Sequence, residues 1–377
     1  MPFPAFLAVL LAATLTVSGL SWHRVVVDAE EADRIGRLAL AEGTACLGAD
    51  AALRDDCVPP FGDLVTPHPA VSRDRFQRSR WHRCLTGLGT TRFTVCRFGS
   101  ATAGVHVVLF GDSHALQWLP ALNAIAEARH WRITTLLRAS CPPSPARLQL
   151  PDRTGTELCH RWSTRAVARI LSDDSVDLVV TTGMNNKRWR KEGGLDRYRT
   201  GVTAYRRTWE RLLAGGRRTV LVIRDTPVPL PDVQSCVARA DSPAECRRAR
   251  RAATSQPVWR GRQDPLVAAV EEAANPRIRL ADLTDAFCGA DACDPVIGNV
   301  LVYADKNHVT ETYARTLVPL LTDHLRAALR PASAVPETAA RPGSGSSAFR
   351  RSSGAAAAGA PALRGRPASH RRRGPPR

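Results

Sequence analysis

The stretch Val105-His106-Val107-Val108-Leu109-Phe110-Gly111-Asp112-Ser113-His114 decides the fold of this chain. An apolar, β-branched run stops at a glycine, and a helical pattern begins at Ala115. This order predicts a buried strand, a sharp turn and the start of a helix. Ser113 would then lie at the carboxyl end of a strand, the edge at which open α/β sheets bind ligands. The purely structural alternative is that Asp112 or Ser113 only caps the helix.

A second polar group lies far downstream, before the last helical pattern. Asp305 and His308 are three residues apart, a spacing at which the carboxylate can accept the imidazole Nδ1–H while Nε2 faces outward. A serine hydroxyl needs a base to become a nucleophile, and histidine titrates in the right range. The pattern therefore predicts Ser113 as nucleophile, His308 as base and Asp305 as the carboxylate that orients it. Asp282 and Asp285 are competing carboxylates, but their spacing to His308 is less suitable.

Strand-like and helix-like patterns alternate between these two groups. Strands are predicted at 105–110, 131–137, 176–182, 219–223 and 278–282, and helices at about 115–129, 159–171, 205–213, 264–274 and from 308 to about 329. This alternation predicts a parallel, doubly wound α/β sheet.

Two motifs carry a resemblance to a known family. Gly111-Asp112-Ser113 and Asp305-x-x-His308 resemble the first and last blocks of the SGNH (GDSL-type) esterases and acyltransferases. Gly-Asp-Ser-His, followed later by Ser140-Cys141-Pro142-Pro143, is closer to the SGNH domain that follows acyltransferase-3 membrane domains in bacterial O-acetyltransferases. The resemblance covers about residues 45–330. It implies a flavodoxin-like three-layer α/β/α sandwich and serine acyl transfer without a cofactor or metal.

The resemblance also implies the donors of an oxyanion hole. The backbone N–H of Ser113 is one. Gly183-Met184-Asn185-Asn186 is similar to the Gly-x-Asn-Asp block of the family, which makes the Asn185 side chain a second donor. Asn186 stands where the family has aspartate, and Asn185 as a simple turn residue is the alternative interpretation.

A third donor is less regular. The family supplies a glycine N–H after the second strand, but Arg138-Ala139-Ser140-Cys141 has no glycine, which leaves the N–H of Ser140. His114 follows Ser113 directly and is expected to face another way, since adjacent helical residues do not share a face. Three residues are expected to support the turns: Gly111, Asp112 and Gly183.

Ten cysteines form five local couples, Cys46/Cys57, Cys84/Cys96, Cys141/Cys159, Cys236/Cys246 and Cys288/Cys293. No couple has the Cys-x-x-Cys spacing of a zinc site, so a disulfide framework in an exported protein is expected. The sequence leaves the connectivity open. Pairing between neighbours is favoured because short loops lose the least entropy on closure. Reduced cysteines in a cytosolic protein are the alternative.

The formal net charge of +18 favours anionic partners such as nucleic acid, membrane surfaces or acidic wall polymers. The core shows neither a nucleic-acid-binding module nor interleaved basic and aromatic residues, so nucleic acid is not an expected partner. Residues 331–377 are rich in Ser, Gly, Ala, Pro and Arg, and they are expected to form a disordered basic tail.

The apolar run at residues 3–20 is expected to be a signal peptide or a single membrane anchor. The predicted division is 1–24 for this segment, 25–100 for a cysteine-containing lead-in packed on the catalytic domain, 101–330 for the SGNH domain and 331–377 for the tail. The lead-in begins with an amphipathic helix at 30–41. Its His68, Trp81 and His82 are expected to be ordinary surface residues, and approach to the site is the alternative.

The cysteines and the apolar N-terminal run favour an extracytoplasmic protein, and the resemblance implies an O-acetyltransferase that acts on a cell-surface glycan. The printed sequence carries no multi-helix membrane domain, so the acetyl donor would be a separate acyltransferase-3 membrane protein. Two alternatives stay open: a free-standing carbohydrate O-acetyl esterase, and a non-catalytic glycan-binding module with a degenerate SGNH site.

Overall fold

The computed structural model describes residues 3–70, 76, 79–150, 152–255 and 257–330, except for the side chains of 3–22. The predicted basic tail, 331–377, lies outside the described residues. The strands are β1 Leu85–Thr86, β2 Val95–Gly99, β3 His106–Gly111, β4 Arg132–Arg138, β5 Leu178–Thr182, β6 Thr219–Ile223, β7 Arg248–Ala249, β8 Ile278–Ala281, β9 Ala292–Cys293, β10 Val296–Ile297 and β11 Val300–Leu301.

The α-helices of the same residues are α1 Phe3–Glu42, α2 Ala49–Ala52, α3 Ser113–Leu116, α4 Leu119–Arg129, α5 Arg153–Leu171, α6 Arg197–Leu213, α7 Val233–Val237, α8 Arg250–Thr254, α9 Pro265–Ala273, α10 Glu311–Thr316 and α11 Val318–Leu329. Short 3₁₀ turns lie at Arg80–Cys84, Pro243–Cys246, Pro257–Trp259 and Thr284–Ala286.

The central sheet of the described residues has seven strands, and its middle consists of parallel strands in the order β4-β3-β5-β6-β8. Numbered from β3, this is the order 2-1-3-4-5 of flavodoxin-like folds, in which ligands bind where the strand order reverses. The reversal lies between β3 and β5, whose last residues Gly111 and Thr182 are paired. The predicted parallel α/β fold is confirmed, and its ligand-binding edge is the edge at which Ser113 follows β3.

Both faces of the sheet are covered. Val107 and Leu109 of β3 belong to one buried cluster, which includes residues of α4 and α11, and Val108 and Phe110 belong to a second cluster with α5, α6 and α9. Parallel strands that are buried on both faces have continuous apolar sequences, and for this reason the sequence predicts β3. Successive apolar side chains of β3 point to opposite faces of the sheet, so each face needs its own layer of helices, and three layers result.

Several elements differ from their predicted bounds. The predicted helix at 115–129 is two helices, α3 and α4, and Pro120 lies in the first turn of α4. Helix α5 begins earlier than predicted because Asp152 caps it, accepting hydrogen bonds from the N–H groups of Thr154 and Gly155. Helix α6 likewise begins at Arg197, after the cap Asp196.

The segment before residue 100 also contributes to the sheet. Strand β1 pairs parallel with β4, and β2 pairs antiparallel with β4 from Val95 opposite Leu136 to Gly99 opposite Arg132. The predicted helix at 30–41 is the last part of the 40-residue helix α1. Among the described residues, no helix has the length and hydropathy that a bilayer span requires.

All five local cysteine pairs are disulfide-bonded: Cys46–Cys57, Cys84–Cys96, Cys141–Cys159, Cys236–Cys246 and Cys288–Cys293. The pairing between neighbours is thereby confirmed. The Cys84–Cys96 bond joins the 3₁₀ turn at Arg80–Cys84 to β2, and the Cys141–Cys159 bond joins the turn after β4 to α5.

The lead-in is hydrogen-bonded to the chain that precedes Asp305. The Asn299 side chain accepts from the N–H of Phe61 and donates to the carbonyls of Gly62 and Leu64. The backbone of Thr66 exchanges hydrogen bonds with Asn299 and Leu301, at 2.8 and 2.9 Å. These contacts fix β11 and therefore the loop that carries His308.

The last residue of β3 tolerates no side chain. A Cβ at Gly111 would lie 2.1 Å from the carbonyl oxygen of Thr182 and 2.7 Å from the Cβ of Ala115. We expect Gly111→Ala to lower the free energy of unfolding by at least about 2 kcal/mol, because backbone would have to move. Gly104→Ala is the matched control, since a Cβ at Gly104 meets nothing within 4 Å. Equal urea-unfolding midpoints for the two variants would contradict this account.

Candidate active site

Ser113 is the first residue of α3 and follows the turn after β3. The Asp112 carboxylate accepts a hydrogen bond from the N–H of His114 at 2.9 Å and so caps the helix. The first N–H groups of a helix have no acceptor within the helix, which leaves the Ser113 N–H available. Asp112 thus takes the capping role, and the Ser113 side chain is left partly exposed at the end of the strand.

Asp112 also holds the loop after β5. Its carboxylate accepts from the Met184 N–H at 3.2 Å and forms an ion pair of 2.9 Å with Lys187 Nζ. Gly183 lies against the same carboxylate, where a Cβ would be 3.6 Å from Asp112 Oδ2 and 3.2 Å from Pro143. Burial raises the pKa of Asp112, but the charges of Lys187 and His114 outweigh it and hold that pKa below its usual value.

Asp305 and His308 face each other within one turn. His308 Nδ1 lies 2.8 Å from Asp305 Oδ2, and Asp305 Oδ1 accepts from the backbone N–H groups of Asn307 and His308, each at 2.9 Å. The Ala304 N–H closes the turn on the carbonyl of His308. His308 Nε2 is buried and makes no hydrogen bond to a described residue. The pair therefore presents an oriented imidazole with its second nitrogen unused.

The surroundings favour the charged form of the carboxylate and the neutral form of the imidazole. Burial raises the pKa of Asp305, but the hydrogen bond and charge of His308 and the two backbone donors bring it below its usual value. Burial lowers the pKa of His308; the Asp305 hydrogen bond raises it and the charge of His114 lowers it, with a net decrease. A neutral imidazole at neutral pH is the form that can accept a proton.

Three contacts bring the His308 turn to the other two loops. Gln117, one helical turn after Ser113, accepts a hydrogen bond from the N–H of Val309 at 3.0 Å. Asn307 lies 3.7 Å from the sulfur of Met184. The His308 ring is 5.0 Å from the His114 ring, centroid to centroid. Ser113, the loop after β5 and His308 are therefore gathered at one edge of the sheet, and no hydrogen bond joins Ser113 to His308.

Phe76 of the lead-in covers the imidazole of His308. The two rings are parallel, with centroids 3.8 Å apart, and His82 meets Phe76 edge-on at 5.8 Å. No sequence pattern indicated Phe76. Trp81 is buried in the core, so its expected surface position is wrong. The backbone N–H of His68 donates to Asp33 Oδ1, and His68 Nδ1 accepts from the N–H of Ala70.

A second histidine–carboxylate pair lies beside the first. His114 Nδ1 is 2.5 Å from Asp225 Oδ1, both side chains are almost fully buried, and His114 Nε2 has no described partner. Burial lowers the pKa of His114, but the charge and hydrogen bond of Asp225 outweigh it and raise that pKa above its usual value. Asp225 was not predicted, although it lies just after β6 at the ligand-binding edge.

Asp225 also positions the predicted oxyanion residue Asn185. Its Oδ2 accepts from the Asn185 N–H at 2.9 Å, and the indole N–H of Trp259 donates to the Asn185 carbonyl. The Asn185 side chain makes no hydrogen bond to a described residue, and its Oδ1 is buried. The backbone of Asn185 is thus fixed from both sides while its amide stays uncommitted.

Ser140 adopts a backbone conformation that usually belongs to glycine. Its φ is +57°, in the left-handed region, and it precedes the disulfide-bonded Cys141. Its N–H donates to no acceptor among the described residues. Ser140 thus adopts the left-handed conformation that glycine adopts most easily, although the sequence has no glycine at this turn.

The competing carboxylates are engaged elsewhere. Asp282 pairs with Arg224 at 2.7 Å and accepts from Thr284, and Asp285 pairs with Arg250 at 2.6 Å. Among the described residues one group, Cys46, Asp50 and Cys57, has metal-ligand spacing, but its two cysteines are bonded to each other. The gathered groups can accept a proton from a serine hydroxyl and can donate to an oxyanion, the two requirements of acyl transfer.

The chain matches one family model over more than half of its length. Residues 83–323 match the family model of the SGNH domain that is fused to AT3 domains. The periplasmic domain of a lipopolysaccharide acetyltransferase from Salmonella ser. Paratyphi A is similar in structure, with 12% sequence identity, a TM-score of 0.46, and coverage of 60% of this chain and 85% of that one. No curated protein matches the chain in sequence.

The buried Asp112–Lys187 pair should matter for stability. Lys187→Met would leave the Asp112 carboxylate buried without a counter-charge, so we expect a loss of about 3–5 kcal/mol in the free energy of unfolding. Lys191→Met, on the same loop but exposed, should change it by less than about 0.5 kcal/mol. Chemical denaturation compares the two. A Lys187→Met variant as stable as Lys191→Met would contradict the role assigned to the pair.

Proposed function

Because the chain belongs to the family of SGNH domains fused to AT3 domains, we propose that it is a serine acyl-transfer enzyme that O-acetylates a cell-surface glycan. The single observation that supports this best is the oriented His308–Asp305 pair: His308 Nε2 has no hydrogen-bond partner among the described residues, and its ring lies 5.0 Å, centroid to centroid, from that of His114, the residue after Ser113. The five disulfides favour an extracytoplasmic location.

In the proposed first half-reaction, Ser113 Oγ attacks the acyl carbonyl carbon and its proton passes to His308 Nε2. Asp305 holds the imidazole through Nδ1 and stabilises the imidazolium. The oxyanion is received by the N–H of Ser113, the Asn185 amide and the N–H of Ser140. The tetrahedral intermediate then collapses, and the leaving alcohol takes the proton from His308.

In the second half-reaction a sugar hydroxyl attacks the acyl-Ser113 ester. Its proton passes to His308 and from there to the departing Ser113 oxygen, so the enzyme is regenerated. Water in place of the sugar would give an esterase from the same residues. The acetyl donor in the proposed transfer is supplied through an acyltransferase-3 membrane domain. The N-terminal apolar segment, as a signal or an anchor, brings the chain to the extracytoplasmic side of the membrane.

Hydrolysis of p-nitrophenyl acetate by the full-length oxidised protein tests the nucleophile and base. We expect Ser113→Ala and His308→Ala each to lower kcat by at least about 1,000-fold, since the two groups act as a unit. Ser100→Ala, in the exposed turn at the opposite edge of the sheet, is the matched control and should keep full activity.

The same assay with an added oligosaccharide separates the two outcomes of the second step. Acetylated oligosaccharide in the products supports the transferase, and release of free acetate alone identifies an esterase. Wild-type turnover equal to that of Ser113→Ala, in folded and oxidised protein, would contradict the proposed mechanism.

The pH profile tests the environment of His308. Since its pKa lies below the ordinary histidine value of about 6.5, kcat/KM should stay on its plateau at pH 7 and fall only at lower pH, as His308 becomes protonated. Asp305→Asn removes the group that raises this pKa, so the acid limb should move to still lower pH while the plateau falls by up to about 10,000-fold. An acid limb above pH 7, or one that moves upward in Asp305→Asn, would contradict this assignment.

A further inference from the structure

Two open clefts adjoin the loop after β5. One, of about 620 Å³, is lined by Ser140, Met184 and Lys187 and extends to Arg188 and Arg197. The other, of about 490 Å³, begins at Arg188 and Arg197 and extends past Trp259. The clefts share Arg188 and Arg197, so they adjoin, and we treat them together as one groove with the candidate oxyanion residue Ser140 in the wall of the first. Each has the volume of an ordinary ligand site.

Exposed cations line this groove. They are Arg188, Lys191, Arg197, Arg260 and Arg262, and together they define what we call the basic groove. Its one lining carboxylate among the described residues, Asp196, is engaged by Arg262 at 3.0 Å. Arg188, Lys191 and Arg260 form no ion pair with a described carboxylate.

Several neighbouring arginines, in contrast, form ion pairs with acidic side chains. Arg147 pairs with Glu157, Arg199 with Glu272 and Arg206 with Glu210, on the segments that flank the groove. Arg188, Lys191 and Arg260 differ from other unpaired surface cations because they line the same cleft, and this shared position points to an anion from outside the chain. Guanidinium groups bind carboxylate and phosphate through paired hydrogen bonds, which makes them suited to such a ligand.

The groove is connected to the proposed chemistry by direct contacts. Met184, in its wall, is hydrogen-bonded through its N–H to the Asp112 carboxylate beside Ser113. Trp259, in the wall of the second cleft, donates its indole N–H to the carbonyl of Asn185. Both clefts therefore border residues that hold the turn of Ser113 or the loop of Asn185.

We propose that the basic groove binds the acceptor, and that the acceptor is an acidic glycan whose repeating units carry carboxylate or phosphate groups. This inference rests on the proposed function, since it assigns the substrate class of the same site. The anionic groups are held by Arg188, Arg260 and Lys191, and the sugar hydroxyls between them are presented to Ser113.

Binding of defined glycans to the full-length Ser113→Ala protein tests the proposal, because this variant cannot turn a ligand over. The probes are oligogalacturonate for the carboxylate, poly(glycerol phosphate) for the phosphate and maltohexaose as a neutral control. Calorimetry at low salt should give at least tenfold tighter binding of one acidic probe than of maltohexaose, and the advantage should shrink as salt screens the charges. The tighter acidic probe identifies which anion the acceptor carries.

Charge-removing variants locate the binding. In the same Ser113→Ala background, Arg188→Gln/Arg260→Gln should weaken binding of the acidic probe by at least tenfold. The matched control is Arg129→Gln/Arg211→Gln, which removes two exposed arginines at the opposite edge of the sheet and should leave the affinity unchanged. The basic tail is identical in every variant, so its contribution cancels.

Equal binding of acidic and neutral probes, or equal losses in the two double variants, would overturn the proposal. Its failure is distinguishable from failure of the proposed function. Serine-dependent hydrolysis of p-nitrophenyl acetate without preference for an acidic glycan removes the groove alone. If the groove binds the acidic probe but the protein has no serine-dependent turnover, the proposed enzymatic function is contradicted and the glycan-binding site is supported.

Discussion

The candidate site depends on the hydrogen bonds and the ion pair of one buried carboxylate, that of Asp112. It caps α3 through the N–H of His114, and it holds the loop after β5 through the N–H of Met184 and the ammonium of Lys187. A carboxylate without exposure to solvent is stable only when paired and hydrogen-bonded in this way. One side chain therefore sets the distance between the turn that carries Ser113 and the loop that carries Asn185.

Two adjacent histidine–carboxylate pairs show how surroundings separate the behaviour of identical groups. Burial lowers the pKa of both His114 and His308. For His114 the charge of the buried Asp225 outweighs it, whereas for His308 the contribution of Asp305 does not, and the neighbouring His114 charge acts in the opposite direction. Asp225 therefore favours the charged form of His114, the His114 charge disfavours the charged form of His308, and Asp225 also fixes the backbone of Asn185.

Much of the fold could be predicted because its signals are local. The apolar run of β3 and the glycine that ends it are contiguous in the sequence, and the cysteines pair with their neighbours. Asp305 and His308 were predictable for the same reason, since three residues separate them. These residues stay predictions as catalytic groups, but their geometry agrees with that role.

The rest of the site depends on contacts distant in sequence. Phe76 reaches His308 from the lead-in, and Lys187 reaches Asp112 from another loop, and neither is marked by spacing or composition. Asp225 did carry a signal, because it follows β6 at the edge where the other loops meet.

Covalent labelling tests the central claim most directly. A fluorophosphonate forms a phosphonyl ester with an activated serine and loses fluoride, and peptide mass mapping then identifies the residue. We expect one labelled peptide, containing Ser113, in the full-length oxidised protein, and strongly reduced labelling of the same peptide in His308→Ala. Label on a different serine, no label on folded protein, or equal labelling of Ser113 in His308→Ala would contradict it.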